Sequence, residues 1–399
     1  MLHPAFAAPG EFFRGNLHCH SNRSDGVLDP AEVCRRYKAE GYDFIALTDH
    51  FVGRFDYPIT DTRDFRDAIF TTLPGAELHS GAMENGELWH ILAVGLPADF
   101  LPSHSPDFHP VEGQETGPQI ARRAREAGAF VTIAHPHWSG MTLSDARSIE
   151  AAHAVEIYNH TCAVGTDRGE GGHVADLLLT DGRDLNLIAT DDAHFAGPDH
   201  FGGWVMVKAE ANEPELLLEA LIDGHFYSSQ GPELKAVALN GGHIDVACSP
   251  VSSVIVQGHG SAATLQHGTA LTQARIPLDR LKDSPWLRVT VIDRSGKRAW
   301  SNPIWRLRGS HRQPAGTGAT PRRFPLHKIR RTDLSELDNL AGCPRRSNAP
   351  VQSVYRASPA NRRSWLRSCP GAPAPVASHR RWRGFHPRRA PSAYGSLRW

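Results

Sequence analysis

Two imidazoles two positions apart open the chemistry of this chain. His18 and His20 flank Cys19 at the end of an apolar run. On a strand, residues i and i+2 share a face, so the two rings point together and Cys19 points the other way, as a core thiol would. Similar groups recur at the ends of later apolar runs. Ser24-Asp25-Gly26 follows the first pair, Thr48-Asp49-His50 and Gly75-Ala76-Glu77 close two more runs, and His90 precedes another. Ala134-His135-Pro136-His137 and Asp191-Asp192-Ala193-His194 complete the series. Imidazole and carboxylate donors with no thiolate suit Zn, Mn or Fe and disfavour Ca or Mg alone. The candidate ligands are His18, His20, Asp25, His50, Glu77, His90, His135, Asp192 and His194. They are too many for one ion, so two or three divalent ions are expected. Three such ions against Asp25, Glu77 and Asp192 leave a surplus of positive charge even after a bridging hydroxide is counted. A dianionic phosphate monoester neutralises that surplus better than a neutral ester or amide does.

Strands and helices must alternate to bring these groups together. Strands are expected before His18, over Asp43 to Leu47, leading into Gly75, over Ile91 to Leu96, Phe130 to Ala134, Ala154 to Tyr158, Leu187 to Thr190 and Trp204 to Val207. Asp29-Pro30 reads as the N-cap and first residue of a helix that stops at Gly41, and Gly128 and Gly224 follow two more helical patterns. The alternation predicts a mainly parallel α/β sheet, open or closed into a barrel, with C-terminal strand ends converging on one face. After Gly231 the runs become short and β-like, with turn signals at Gly241-Gly242 and Ser295-Gly296, which predicts a small antiparallel β domain. The expected divisions are residues 1–230, 231–308 and 309–399.

The chain has 399 residues, 40% hydrophobic and 22% charged, which excludes wholesale disorder and leaves room for more than one domain. Its net charge of zero conceals an asymmetry. Residues 310–399 hold 17 Arg and one Lys against three acidic residues, so the body carries the matching acidic excess. This Pro- and Arg-rich tail is expected to be disordered, either as a nucleic-acid-binding arm or as an extension without a role. No apolar run approaches the roughly 18 residues of a membrane span, and the start lacks a basic, then apolar, secretion signal. Six scattered cysteines with no C-x-x-C pair read as free thiols, and the expected location is cytoplasmic.

The ordered set H-C-H (18–20), S-D-G (24–26), T-D-H (48–50), G-A-E (75–77), A-H-P (134–136) and D-A-H (192–194) resembles the polymerase-and-histidinol-phosphatase (PHP) family of metal-dependent phosphoesterases. The pattern is similar to a stand-alone bacterial branch that includes carbaryl-type carbamate-ester hydrolases. V-E-I-Y-N at 155–159, the Y-S-S-Q-G-P-E stretch at 227–233 and W-S-N-P-I at 300–304 extend the likeness. The resemblance implies a distorted (β/α)7 TIM-like barrel with a trinuclear metal site. His18, His20, Glu77 and Asp192 would hold the first ion and the catalytic hydroxide. Glu77 would bridge to a second ion with His90 and His135, and Asp25, His50 and His194 would hold a third. Many relatives carry His where this chain has Asp25, and Asp191 stands where they often have Ser.

The expected reaction is hydrolysis of a small phosphate ester, of nucleotide or sugar phosphate type, by a hydroxide held between two ions. A metal-bound oxygen or a nearby His would serve as proton donor to the leaving group. Arg54, His137, His160 and Arg168 are the candidate substrate contacts. Hydrolysis of a carbamate, carboxylic ester or amide on the same ions is a second reading. A non-catalytic metal-binding regulatory module is a third.

Overall fold

Phe44–Leu47 is buried at every position, as a strand covered on both faces must be. Around it, a computed structural model describes residues 1–306 of the chain as a mixed α/β protein built on one large sheet. Helix α1 (Pro4–Ala7) precedes strand β1 (Glu11–Asn16), helix α2 (Pro30–Ala39), strands β2 (Phe44–Leu47), β3 (His50–Phe51), β4 (Thr71–Leu78) and β5 (Ile91–Val94). Helix α3 (Gly117–Glu126), strand β6 (Phe130–Ile133), helix α4 (Leu143–Ser148) and strand β7 (Ala154–Asn159) follow. Then come helices α5 (His160–Thr166) and α6 (Gly172–Thr180), strands β8 (Asn186–Thr190) and β9 (Trp204–Ala209), helix α7 (Pro214–Ile222) and strand β10 (Phe226–Ser229). The remaining strands are β11 (Leu234–Asn240), β12 (His243–Gln257), β13 (Ala263–Pro277), β14 (Trp286–Ile292), β15 (Arg298–Ser301) and β16 (Ile304–Trp305).

The local signals act as physical chemistry requires. Asp29 caps α2, accepting from the Glu32 amide, and Pro30 supplies the fixed φ of the first turn. The pairs β1–β2, β2–β4, β6–β7 and β7–β8 are parallel. Strand β5 runs antiparallel to both β4 and β6. It returns from β4 through a loop containing Gly81 and Gly86, both at positive φ, with no crossover helix, and a direct return can only make an antiparallel neighbour. Its reversed direction explains why His90 precedes its strand while the other candidate ligands follow theirs.

The backbone ladder does not close. It runs from β11 through β12, β14, β15, β10, β9, β1, β2, β4, β5, β6 and β7 to β8. The outward amides of β8 go to side chains instead: Leu187 N–H donates to Asn302 Oδ1 and Ala189 N–H to Ser228 Oγ. Asn302 also donates to the carbonyls of Gly224 and Phe226, and Ser228 to that of Leu187. Thus W-S-N-P-I and the Tyr227–Ser229 stretch seal an edge that would otherwise be an open template. Beyond the strands, Asp192 N–H donates to His18 O and His20 N–H to Ala193 O, joining the extensions of β1 and β8.

The sheet continues across residue 230 without a break, because β10 pairs with both β9 and β15. Two expected short strands are one 15-residue strand, β12, and β13 is equally long. Separate hydrophobic clusters serve the β11–β16 region and the α/β region. The four cysteines among the described residues, Cys19, Cys34, Cys162 and Cys248, are unpaired and buried. No helix among the described residues is long and apolar enough to cross a membrane. The basic tail lies outside the described residues.

His3 anchors the N-terminal segment and is titratable. Its Nδ1 accepts from the Ala5 amide and its other ring nitrogen donates to Asn302 O, so both nitrogens of the neutral ring are used. Burial lowers its pKa to about 4. A base with a depressed folded pKa contributes stability above its unfolded value, near 6.5, and loses it as pH falls through the folded one. Urea-denaturation midpoints should therefore fall between about pH 6.5 and pH 4. H3Q should flatten up to about 3 kcal/mol of that slope, and an unchanged slope would contradict the assignment.

Candidate metal centre

The nine predicted ligands meet at one end of the sheet. Glu77, at the end of β4, lies at the middle. Its Oε1 is 2.8 Å from His90 Nδ1 and 3.0 Å from His135 Nε2, and its Oε2 is 3.5 Å from His18 Nε2 and 3.6 Å from His20 Nε2. Asp192 Oδ1 is 2.9 Å from His20 Nε2 and 3.2 Å from His18 Nε2. Asp25 Oδ1 stands 3.5 Å from His50 Nε2 and 3.4 Å from His194 Nε2. Three sets of ligand atoms gather closely enough to share an ion: His18, His20, Glu77 and Asp192; His20, Asp25, His50 and His194; and His50, Glu77, His79 and His90. His135 approaches through Glu77 rather than within one of these sets.

The donors fit divalent cations. His18 Nε2, His20 Nδ1 and Glu77 Oε2 are buried with no hydrogen-bond partner among the described residues. Buried polar atoms are otherwise almost always paired, and the unpaired His18 Nε2 facing Glu77 and Asp192 marks a place for positive charge. Without such ions, protons take that role. Burial opposes protonation of His18, but Asp192, Glu156 and Glu77 raise its pKa well above the ordinary value. His50 is pushed up to about 10, against burial, by Glu77 and Asp25, and His194 to about 8 by Asp25 and Asp192. Glu77, Asp192 and Asp25 are correspondingly held well below the carboxylate range, their imidazole neighbours overriding the burial penalty. His20, buried and crowded by His194 and His50, falls to about 4. A divalent ion would displace these protons, so uptake releases them.

A further layer of residues aims the ligands. Glu156, fully buried on β7, accepts four hydrogen bonds: Oε1 from His18 Nδ1 (2.8 Å) and Thr190 Oγ1 (2.7 Å), Oε2 from the His135 amide (2.7 Å) and Asn159 Nδ2 (3.0 Å). It thereby fixes the His18 tautomer with Nε2 toward Glu77 and Asp192. Asn159 Nδ2 lies 3.1 Å from Asp192 Oδ2 as well. His194 Nδ1 donates to Asp192 O, and His135 Nδ1 meets Ser139 Oγ. His79 donates from Nδ1 to Trp89 O, so its Nε2 accepts from His50 Nδ1 at 2.9 Å. Asp49 accepts from the Ser21 amide and the Ser24 and Thr60 hydroxyls, holding the turn before Asp25. Asp191 accepts from Tyr37 Oη and the amides of Phe201, Gly202 and Gly203, and so ties down the chain that follows His194. His135 (φ 22°) and Asp192 (φ 57°) adopt left-handed backbone that non-glycine residues seldom take, a strain that concentrates at functional sites.

Of the expected substrate contacts, Arg168 lines a cavity of about 730 Å³ that opens beside the ligands. Arg54, His137 and His160 are not among its lining residues. Arg54 sits in a short turn and pairs with Asp107 at 3.7 Å, and His137 is exposed. His160 bonds Tyr158 Oη and packs beneath Gly202, where a Cβ would lie 2.1 Å from its ring. Glu156, His79, Asp49 and Asp191 carry no spacing signal of their own, since their importance lies in contacts made across the fold.

No family model matches the sequence. Over 35 residues the chain is 54% identical to a 5'-3' exoribonuclease of Haemophilus influenzae, a match covering 9% of this chain and 13% of that protein's length. Over 212 residues it is 24% identical to an uncharacterized protein of Methanocaldococcus jannaschii, covering 52% of this chain and 84% of the other. Among solved structures it is similar to a two-domain protein of Bacteroides vulgatus described as containing a PHP-like metal-dependent phosphoesterase. The TM-score is 0.41 and the identity 17%, over 72% of this chain and 94% of that one. Two further structural neighbours are described as a metal-dependent phosphoesterase of Bifidobacterium adolescentis and an amidohydrolase of Chromobacterium violaceum. The first has a TM-score of 0.35 and 14% identity, over 47% of this chain and 88% of that one. The second has 0.32 and 16%, over 45% and 87%.

All four partners of Glu156 are donors, two to each oxygen, so an amide in its place must turn its NH2 toward two of them. E156Q should remain folded but bind Mn or Zn about 10- to 100-fold more weakly, and change the visible spectrum of the Co-substituted protein. Calorimetric metal titration checks the first, and affinity and spectrum equal to wild type would refute the role.

Proposed function

We propose that this chain is a metal-dependent hydrolase of small phosphate esters, with two or three divalent ions (Zn, Mn or Fe) held in a distorted (β/α)7-type framework. The observation that carries the reading is the convergence of three carboxylates and six imidazoles on one largely buried cluster beside an open cavity, with only Asp25 exposed. The hydrogen bonds joining β1 to β8 beyond the ladder favour the barrel-like reading of the framework. His18, His20, Glu77 and Asp192 would hold one ion. Glu77, His90 and His135 would hold a second, and Asp25, His50 and His194 a third.

Bound there, the ions would supply an acidified water for attack on phosphorus and positive charge for the non-bridging oxygens. The chain's own residues supply order. Glu156, Ser139 and the Asp192 carbonyl hold the rings of His18, His135 and His194 with their donor nitrogens inward. Trp138 and Phe108 line the cavity beside the ligands and keep bulk water from that side. Arg168 lines the same cavity and is placed to pair with an anionic group of the substrate.

Charge favours phosphate over the neutral esters. Even with Glu156 counted beside Asp25, Glu77 and Asp192, three divalent ions leave about two positive charges, and about one after a bridging hydroxide, for the substrate to neutralise. The chain loaded with Mn or Zn should hydrolyse members of a phosphate-monoester panel, and EDTA should abolish the activity. H18A and H135A should each lower kcat/KM by at least about 100-fold, and R168A should raise KM about tenfold. A metal-replete preparation that cleaves carbamates or carboxylic esters but no phosphate ester would overturn the phosphate reading.

A further inference from the structure

The walls of the cavity carry more information than its size. Trp138 stands edge-on to His135 and His90, with ring centroids 4.9 and 5.4 Å apart. Phe108 stands edge-on to His50 at 4.9 Å. An aromatic ring therefore flanks the ligand cluster on each of two sides, and Met83 and Leu88 add apolar wall. Trp138 lines the cavity and keeps 40% of its surface exposed.

The polar side chains of the same wall are already engaged. Asn85 donates to the Ser139 carbonyl and accepts from the Glu87 amide. The Ser139 hydroxyl is bonded to His135, that of Thr161 donates to Asp192 O, and that of Thr166 to Cys162 O. Apart from the ligands themselves, the side chains of Glu87 and Arg168, the Trp138 indole N–H and the Cys162 thiol in this lining have no hydrogen-bond partner among the described residues. A polyol placed here would have only these groups to pair with, and each hydroxyl beyond their reach would stay unpaired, at roughly 1–3 kcal/mol. A flat ring would instead cover Trp138 and Phe108 and gain both burial and ring-to-ring contact.

Resting on the phosphate-ester reading, we infer that the leaving group is a flat aromatic ring and that the substrates are aryl or arylmethyl phosphates rather than sugar or polyol phosphates. In the reaction one water is consumed. Its oxygen bonds to phosphorus, the phosphorus–oxygen bond to the leaving group breaks, and one proton ends on the departing phenol or alcohol while inorganic phosphate remains.

Non-hydrolysable phosphonates separate this inference from leaving-group reactivity. Calorimetric titration of the Mn-loaded full chain should show benzylphosphonate binding at least tenfold more tightly than 2,3-dihydroxypropylphosphonate. W138A and F108A should each shrink that ratio severalfold, and W138L, which keeps the bulk of the side chain, should lose part of it. Equal affinities, or a ratio untouched by W138A and F108A, would overturn the aromatic site while leaving the phosphate reading intact. Binding of neither phosphonate would remove the phosphate reading and this inference with it.

Discussion

A carboxylate sealed from water must be met by positive charge. Glu77 is sealed almost completely, and imidazole nitrogens of His18, His20, His50, His79, His90 and His135 all lie within 4 Å of it. Burying such an ion uncompensated is prohibitive, so everything around it is arranged to supply charge. Asp192 extends the same problem on one side, and Asp25 adds a more exposed carboxylate on the other. Protons on His18, His50 and His194 answer it in part, and divalent ions answer it fully.

That demand shapes the backbone as well as the side chains. His135 and Asp192 occupy left-handed conformations, and each is held by bonds that reach other strands: the His135 amide to Glu156, the Asp192 amide to the His18 carbonyl. Glu156 connects residues from β1, β6, β7 and β8 through one carboxylate, so the ligands of separate strands are set against each other rather than individually. Side chains finish what the sheet leaves undone. Ser228 and Asn302 take the outward bonds of β8, which lets the β11–β16 region complete the framework that carries the ligands.

The sequence exposed the candidate ligands because most fall at the end of an apolar run, with His90 before one and Asp25 in the turn after another, and strand ends are where a parallel sheet collects its chemistry. The strands of the α/β region were legible for the same reason, with boundaries displaced by a residue or two. The reversal of β5 was hidden, since periodicity marks a strand but not its direction. The fusion of two short apolar runs into β12 was hidden because the polar stretch between them, with Ser249-Pro250, lies within the strand. Glu156 and His79 sit in ordinary apolar contexts, and only the fold shows that one meets His18 and the other His50. Asp191 reads as a spare acid until the three amides of Phe201 to Gly203 are seen pointing at it. Arg54 and His137 were chosen for lying beside His50 and His135, and His160 for lying in the loop after Val155-Glu156-Ile157, and position along the chain does not fix which way a side chain leaves a loop.

The central claim is that the nine donors form one polynuclear cation site. Crystals of the chain grown with Mn or Zn and measured for anomalous scattering address it directly. The account predicts two or three peaks around Glu77, one of them about 2.1 Å from nitrogen atoms of His18 and His20. Saturating metal that gives peaks only elsewhere on the protein, with none beside Glu77, would contradict it.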